Sequence, residues 1–278
     1  MIESFQNWCL NPKRKTLVMG IVNVTPDSFS DGGKFFSPQD AINHASKLID
    51  QGADIIDIGG ESTRPGAQQI TESEELNRVI PVIEEIRDKN PKKLISIDTT
   101  KASVAKHAVE AGADIINDVS GLSFDNNMID TVARLNIPII IMHMKGNPRN
   151  MQLNPRYKDI INEILDFFKK KIKIAVQSGI NRKMIILDPG IGFGKTVQHN
   201  FELLSRLNEL NVLELPIMIG PSRKSFIGIT LDLPPEDRVE GTAAAVSAGV
   251  MNGASIVRVH DVKSMKRVVK IIDEIRNI

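Results

Sequence analysis

The chain has 278 residues, a length that fits either two small domains or one α/β barrel of roughly 250 residues. It carries 35 basic and 34 acidic side chains, and this balance excludes a strong field for gathering nucleic acid or an anionic membrane. The single cysteine, Cys9, excludes an internal disulfide and predicts a reducing, cytoplasmic location. Because no apolar run approaches the ~20 residues of a membrane span and the first residues lack a secretory pattern, we predict neither secretion nor membrane insertion.

Short runs rich in isoleucine and valine recur along the chain. Each is almost continuously apolar, as a parallel strand covered on both faces must be. Amphipathic segments with helical spacing separate them. The runs predict eight strands, at Leu17–Val24, Asp54–Ile58, Leu94–Ile97, Asp114–Val119, Ile137–Met142, Met184–Leu187, Pro216–Ile219 and Ser255–Val259.

The strict alternation of strands and helices predicts one domain over residues 1–278, with 1–15 as an N-terminal extension and the remainder as a barrel. An internal repeat agrees, because Gly52–Ile56 recurs as Gly112–Ile116 and, more loosely, as Gly253–Val257. Eight strand–helix units predict a (β/α)8 barrel, and an open doubly wound sheet is the alternative because strand number does not show closure. A short helix covering the bottom of the barrel is one interpretation of the extension.

Polar residues follow almost every predicted strand. In a barrel the C-terminal strand ends form one face, so these residues would converge. Asp98 and Asp188 could instead cap a helix and begin a turn, and Asn117 could satisfy backbone groups at a strand exit. Arg258 lies within an apolar strand and therefore needs a partner for its charge. The full set is Asn23, Asp98, Asn117, Asp118, His143, Asp188, Ser222, Arg223, Lys224, Arg258, His260 and Asp261.

Three predicted loops are rich in glycine and polar residues. The loop at 23–33 could close over a ligand, and the loop at 59–66 offers Arg64 either as an anion clamp or as part of an ordinary surface loop. The third, at 188–196, ends in Gly-Lys-Thr, but Pro189 stands where a phosphate-binding P-loop needs its first glycine. The sequence therefore predicts neither ATP nor NAD as a ligand.

Other chemistries find little support. The five histidines show no His-Glu-x-x-His pattern, and one cysteine cannot complete a structural zinc set. Ser222 is not in the Gly-x-Ser-x-Gly context of a hydrolase nucleophile. Lys224 could form a Schiff base if burial lowered its pKa.

The candidate residues suit a polar heterocycle that carries a charged leaving group. Asp98 and Asp188 could accept N–H bonds from a flat aminopyrimidine-like ring, and Lys224 could donate to a ring oxygen or nitrogen. A guanidinium can stack on such a ring. The remaining cations suit a diphosphate, and Asn23 could supply an oxygen to Mg²⁺.

Five segments carry a resemblance to a known family. They are Met19–Gly33, Asp57–Gly66, Asp188–Thr196, Ser222–Lys224 and Arg258–Asp261. These segments resemble the dihydropteroate synthases, and the resemblance runs from about Thr16 to the C-terminus. It implies a (β/α)8 barrel that joins 6-hydroxymethyl-7,8-dihydropterin diphosphate to p-aminobenzoate in folate biosynthesis and releases pyrophosphate. It also implies a homodimer and sensitivity to sulfonamides.

The resemblance also implies individual roles. The implied pterin-binding residues are Asp98, Asn117, Met142, Asp188, Lys224 and Arg258. The implied diphosphate-binding residues are Asn23, which would also reach Mg²⁺, Thr63, Arg64, Arg258 and His260. The implied neighbours of aminobenzoate are Phe29, Pro65, Phe193 and Ser222. Catalysis would fall to Arg64, Lys224, Arg258 and His260.

The expected mechanism is dissociative and needs no enzyme nucleophile. Diphosphate leaves first, and the arylamine then attacks the methylene cation. Two alternatives use the same pterin contacts. One is a methyltransferase barrel that passes a methyl group to a corrinoid partner, and the other is a paralogue that binds pterin without turnover.

Overall fold

The computed structural model describes residues 2–11, 13–25, 38–62, 67–147, 150–276 and 278. Within these ranges, parallel strands alternate with helices along the chain. The strands are β1 Leu17–Asn23, β2 Ile55–Gly59, β3 Leu94–Asp98, β4 Ile115–Asp118, β5 Ile139–Met142, β6 Ile185–Asp188, β7 Met218–Ile219 and β8 Ile256–Val259. The α-helices are α1 Ile2–Leu10, α2 Pro38–Asp50, α3 Glu72–Lys89, α4 Ala102–Glu110, α5 Met128–Leu135, α6 Ile160–Gln177, α7 Val197–Ser205, α8 Ser225–Leu231, α9 Val239–Met251 and α10 Val262–Arg276.

The strands close into a barrel. Each neighbouring pair is parallel, in the order β6-β5-β4-β3-β2-β1-β8-β7. A parallel bridge between Leu187 and Ile217 joins β6 to the residues just before β7, and this closes the ring. The predicted (β/α)8 barrel is confirmed, and the open sheet is excluded.

Each of the eight predicted strands is present, with differences at the ends. The largest difference is at β7, which contains only Met218 and Ile219 of the predicted run 216–219. Pro216 has no N–H group to pair with a neighbour, which shortens the regular ladder at this point. Its carbonyl still accepts a 2.9 Å hydrogen bond from the Leu187 N–H.

The internal repeat marks the entry to two strands. Gly52 and Gly112 have φ angles of +95° and +119°, a region that favours glycine and lets the chain turn from a helix into a strand. The aspartate two positions later accepts a hydrogen bond from the preceding strand. Asp54 Oδ2 lies 2.8 Å from the Val18 nitrogen, and Asp114 Oδ2 lies 2.9 Å from the Ile95 nitrogen.

The inside of the barrel has an apolar bottom layer. Its residues lie near the N-terminal ends of the strands, and α1 packs Phe5 and Cys9 against them. Because side chains alternate along a strand, residues two positions later point inward nearer the mouth. The bottom layer comprises Met19, Ile55, Ile115, Ile140, Ile186, Met218 and Ile256.

A second and larger apolar cluster lies between the strands and the surrounding helices. It covers the outer face of the barrel, which explains why the strands are apolar on both faces. None of the helices in the described ranges combines the length and the apolarity needed to cross a bilayer.

Candidate active site

The C-terminal strand ends gather polar side chains around one small cavity. The alternation that places Ile55, Ile115 and Ile186 at the bottom places Asp57, Asn117 and Asp188 nearer the mouth. The cavity has a volume of about 20 Å³. Of the residues predicted from the sequence, it is lined by Asp98, Asn117, Met142, Asp188, Phe193, Lys224 and Arg258.

Arg258 is held between two carboxylates. Its Nε lies 2.6 Å from Asp57 Oδ2, and its Nη2 lies 2.8 Å from Asp98 Oδ2. Although burial opposes the shift, these two neighbours raise the pKa of Arg258 above its usual range. The expectation that this charge needs a partner is confirmed, and there are two.

Asp57 is the site residue that the sequence reasoning missed. Its side chain is fully buried, and besides Arg258 it accepts contacts from Asn117 Nδ2 at 3.3 and 3.4 Å. The signal that could have found it is the spacing Ile55–Asp57, which matches the spacing Ile256–Arg258 on β8. Both pairs place an apolar residue in the bottom layer and a charge two positions above it.

Asn117 presents an unsatisfied acceptor to the cavity. Its Nδ2 is directed toward Asp57, and its buried Oδ1 has no hydrogen-bond partner among the described residues. Buried polar atoms are normally hydrogen-bonded. The arrangement therefore suits a ligand that brings an N–H donor to this oxygen.

Burial shifts the pKa values of Asp98, Asp188 and Lys224 toward neutrality. It raises the pKa of Asp98 to about 7, although Arg258 opposes the shift, and that of Asp188 to about 6. Burial and the charge of Arg258 lower the pKa of Lys224 to about 8. The Gly190 N–H, 2.8 Å from Asp188 Oδ1, partly offsets the effect on Asp188. Such shifts are typical of sites that handle a charged ligand.

The loop after β6 forms one wall of the cavity. The Lys224 ammonium lies 4.1 Å from the centre of the Phe193 ring, a cation–π contact. Lys195 is buried behind this wall, where its ammonium donates to the Phe193 carbonyl at 3.0 Å and lies 3.1 Å from His143 Nδ1. Contacts within the protein therefore hold this wall in place.

Ser222 and His260 form a pair at the edge of the site. Ser222 Oγ lies 3.0 Å from His260 Nδ1 and accepts a 3.2 Å hydrogen bond from the His260 backbone N–H. Burial, with the charge of Arg258 next in size, lowers the pKa of His260 to about 3. His260 is therefore neutral near pH 7 in this state, and it offers a hydrogen bond rather than a charge.

Asn23 is the residue that the sequence predicts to bind Mg²⁺. It ends β1, in register with Gly59 at the end of β2. The described residues contain no group of three histidine, cysteine or acidic side chains that could hold a metal. A single amide oxygen fits Mg²⁺ only as a partial ligand, and Mg²⁺ commonly takes its other ligands from substrate phosphates and water.

Four predicted site residues lie outside the described residues. They are Phe29, Thr63, Arg64 and Pro65.

Comparison with known proteins identifies the family. Residues 19–260 match the family of pterin binding enzymes. The chain is 52% identical over 268 residues to the dihydropteroate synthase of Bacillus subtilis. The match covers 96% of this chain and 91% of that protein.

Solved structures agree with the sequence match. The Yersinia pestis dihydropteroate synthase in a sulfonamide drug complex has a TM-score of 0.91 and 44% identity, and covers 95% of each chain. The Xanthomonas albilineans dihydropteroate synthase in complex with 7,8-dihydropteroate has a TM-score of 0.86 and 39% identity, and covers 96% of each chain. The chain therefore belongs to the dihydropteroate synthase family of pterin-binding enzymes.

Proposed function

We propose that this chain condenses 6-hydroxymethyl-7,8-dihydropterin diphosphate with p-aminobenzoate, and releases 7,8-dihydropteroate and pyrophosphate. The observation that carries the proposal is the convergence of Asp98, Asn117, Asp188, Lys224 and Arg258 on one cavity at the barrel mouth. Membership of the dihydropteroate synthases agrees with it. The enzyme is thus a transferase of folate biosynthesis.

The proposed pterin contacts follow from hydrogen-bond types. Asp98, Asp188 and the free Oδ1 of Asn117 are acceptors, and a dihydropterin presents N–H donors along its edge. The Lys224 ammonium can donate to a ring oxygen or nitrogen. Arg258, held by Asp57, lies where a guanidinium could contact the ring and the departing anion. Met142 adds an apolar contact to the same cavity.

In the proposed reaction, the bond between the exocyclic methylene carbon and the diphosphate oxygen breaks first, and its electron pair leaves with diphosphate. The positive charge on the methylene spreads into the pterin ring. Asp98 and Asp188 bind this ring, and when they are ionised their negative charges stabilise the cation. The arylamine nitrogen then forms the new C–N bond and loses one proton. No side chain has to act as a nucleophile.

The anion would be met by hydrogen bonds and fixed charges. Arg258 and the sequence-based candidates Thr63 and Arg64 would hold it, and His260 would contribute as a neutral donor. When bound, Mg²⁺ would neutralise part of the diphosphate charge. Asn23 would hold that ion together with the diphosphate oxygens.

The aminobenzoate would lie beside Phe193 and Ser222, with Phe29 and Pro65 as further candidates. Phe193 is fixed by the Lys195 bond to its carbonyl, so this side of the subsite needs little rearrangement. Sulfonamides resemble p-aminobenzoate in shape, and they would compete for the same position.

A homodimer and a cytoplasmic location are further parts of the proposal. Apolar side chains on α7 and α8 are solvent-exposed in the single chain, among them Phe201, Ile229 and Leu231. Such residues suit a protein contact. Cys9 is a free, buried cysteine, and a chain without an internal disulfide fits a reducing compartment.

Pyrophosphate release tests the function directly. Purified protein with pterin diphosphate, Mg²⁺ and p-aminobenzoate should release pyrophosphate and form dihydropteroate in equal amounts. Pterin binding without release would indicate a non-catalytic paralogue. Methyl transfer to a corrinoid protein without pyrophosphate would indicate the methyltransferase alternative.

A further inference from the structure

Arg223 and Asp261 lie in the loops that follow the neighbouring strands β7 and β8, and the proposed reaction gives neither of them a role. Their side chains form a two-pronged ion pair. Arg223 Nε lies 3.0 Å from Asp261 Oδ2, and Arg223 Nη2 lies 2.6 Å from Asp261 Oδ1. Two parallel hydrogen bonds fix the orientation of both groups as well as their distance. The pair therefore joins the loop after β7 to the loop after β8.

The backbone of Arg223 has a conformation that residues other than glycine seldom adopt. Its φ angle is +57°, in the left-handed region. Such a conformation persists where the surrounding contacts impose it. The Arg223 N–H donates to Oγ1 of the fully buried Thr242 at 3.1 Å, and the Arg223 carbonyl accepts from Arg238 Nη1 at 2.9 Å. Both backbone groups and the guanidinium of Arg223 are thus held.

Arg238 is itself anchored against α8. Its Nε donates to the Leu233 carbonyl at 2.9 Å. Its guanidinium packs so closely on Gly228 of α8 that a Cβ added there would lie 2.1 Å from Arg238 Cζ. The turn at Arg223 is therefore attached to a tightly packed part of the scaffold.

The residues next to the ion pair belong to the candidate active site. Lys224 comes directly after Arg223 and lines the cavity at the barrel mouth. Ser222 comes directly before Arg223. Its Oγ lies 3.0 Å from Nδ1 of His260, the residue directly before Asp261. The ion pair thus connects the two loops that carry Lys224 and His260.

The Lys224 side chain follows a narrow path to the cavity. A Cβ added at Gly192 would lie 3.1 Å from Lys224 Cδ, and the Lys224 ammonium lies 4.1 Å from the centre of the Phe193 ring. The charged groups that act on this ammonium are Asp188, Asp98 and Arg258. Because a lysine side chain has many rotamers, its ammonium keeps one position only if its backbone is held in place.

We propose that Arg223 and Asp261 are positioning residues, which hold the turn before Lys224 and so align the Lys224 ammonium with the pterin ring. This inference rests on the proposed function, because the pterin contact of Lys224 comes from it. The two residues act through Lys224, and neither has to touch a reacting atom. Their effect on a ligand should therefore disappear when the Lys224 ammonium is removed.

Chemical labelling measures the position of Lys224 without ligand or turnover. Acetic anhydride acylates accessible lysines faster than packed ones, and mass spectrometry of the peptides gives the rate at Lys224 relative to the exposed Lys106. Arg223→Gly removes the guanidinium, but glycine accepts the left-handed φ angle without strain. This variant should raise the relative labelling rate of Lys224 at least about fivefold, because the turn opens more often.

Binding of 6-hydroxymethyl-7,8-dihydropterin, measured by calorimetry, gives the functional readout. Arg223→Gly and Asp261→Ala should each raise its Kd about tenfold, because a loosened lysine aligns poorly with the ring. The double variant should be no worse than the poorer single variant. In a Lys224→Ala background, Arg223→Gly should change the Kd by less than about twofold. A merely structural role would lower the affinity in both backgrounds.

Glu214→Gly is the matched control. Glu214 also has a left-handed backbone, with a φ angle of +51°, and it is exposed in the segment before β7. Its replacement should leave both the labelling ratio and the Kd within about twofold of wild type. If Arg223→Gly fails to fold, Asp261→Asn, which keeps one acceptor oxygen, and Asp261→Ala make the same comparison, with the smaller effect in Asp261→Asn.

Three results would overturn the inference. The first is that Arg223→Gly changes the labelling and the Kd no more than Glu214→Gly does. The second is a full loss of affinity in the Lys224→Ala background. In the third, Arg223→Gly weakens binding but Asp261→Ala does not, which means that Arg223 acts without its partner. Failure of the proposed function is distinct, since wild-type protein would then release no pyrophosphate while the labelling of Lys224 still reports on the turn.

Discussion

The bottom and the mouth of the barrel are built by the same strands, two residues apart, and they differ in almost every physical property. At the bottom, fully buried apolar residues such as Ile55 and Ile186 pack against α1. At the mouth, Asp57 and Asp188 replace them on the same strands. Burial raises the pKa of Asp188 to about 6, and the buried Asn117 Oδ1 has no hydrogen-bond partner among the described residues. Burying such polar groups at the mouth lowers the stability of the fold, and the apolar packing at the bottom compensates for this loss. The mouth is the face of such a barrel that binds ligands.

Breaking the ion pair between Asp57 and Arg258 should have the largest effect on activity. Asp57→Ala removes the fully buried partner of Arg258 and releases the Asn117 amide. Breaking a buried ion pair costs about 3–5 kcal/mol. We expect kcat/KM for pterin diphosphate to fall about hundredfold, measured by pyrophosphate release from protein confirmed to be folded by circular dichroism.

Asp54→Ala is the matched control for this variant. Asp54 lies three residues earlier, just before the first residue of β2, where it pairs with Lys266 at 2.5 Å. Its loss should lower the free energy of unfolding by about 1 kcal/mol and leave kcat/KM within about twofold of wild type. Equal losses of activity in the two variants would contradict a division between bottom and mouth.

The sequence predicted the barrel and most of the mouth because both follow from periodicity. Apolar runs give the strands, and a polar residue at each strand end gives the site. The partners of Arg258 could not be read in the same way, since Asp57 and Asp98 lie 201 and 160 residues away along the chain. Identifying these two partners requires the register of the strands around the closed ring.

The ion pairs of Lys101 with Glu61 and Glu75 show a second limit of sequence reasoning. Glu61 belongs to a recognisable loop, but Glu75 and Lys101 belong to other elements and read as an ordinary helical glutamate and the residue before α4. Glu75 is buried where Gly60 packs closely against α3. That contact depends on how α3 packs, which no local pattern in the sequence specifies.

Removing a single polar contact at the mouth should have a smaller effect than breaking the Asp57–Arg258 ion pair. Asp188→Asn should lower kcat/KM at least about tenfold, because it removes one charge–ligand interaction in a buried site. Arg258→Ala breaks the same ion pair as Asp57→Ala, so its loss of kcat/KM should be of similar size. Near-wild-type turnover in both variants would show that the roles proposed for these residues are wrong.

The pH dependence of activity tests the difference between mouth and bottom, because the mouth contains groups whose pKa values are shifted. Burial moves the pKa of Asp188 to about 6, that of Asp98 to about 7 and that of Lys224 to about 8. Below these carboxyl values the acceptors become neutral, and above pH 8 the lysine loses its proton, so kcat/KM should fall on both sides of a maximum between them. Lys224→Arg should remove the alkaline decline, because a guanidinium stays protonated. An unchanged alkaline limb in this variant would assign it to another group.

The bottom layer should show the opposite behaviour, with the smallest effect on activity. Ile186→Ala removes a fully buried side chain two residues before Asp188, and large-to-small changes of this kind cost about 2–5 kcal/mol of unfolding free energy. Denaturant unfolding should show that loss, while kcat/KM per folded molecule stays within about twofold of wild type. The reason is that β6 keeps its pairing with β5 on the backbone, from Ile139–Ile185 to Met142–Asp188, so the carboxylate keeps its place. A tenfold loss of activity here would mean that side-chain packing at the bottom, rather than the backbone ladder, sets the position of Asp188.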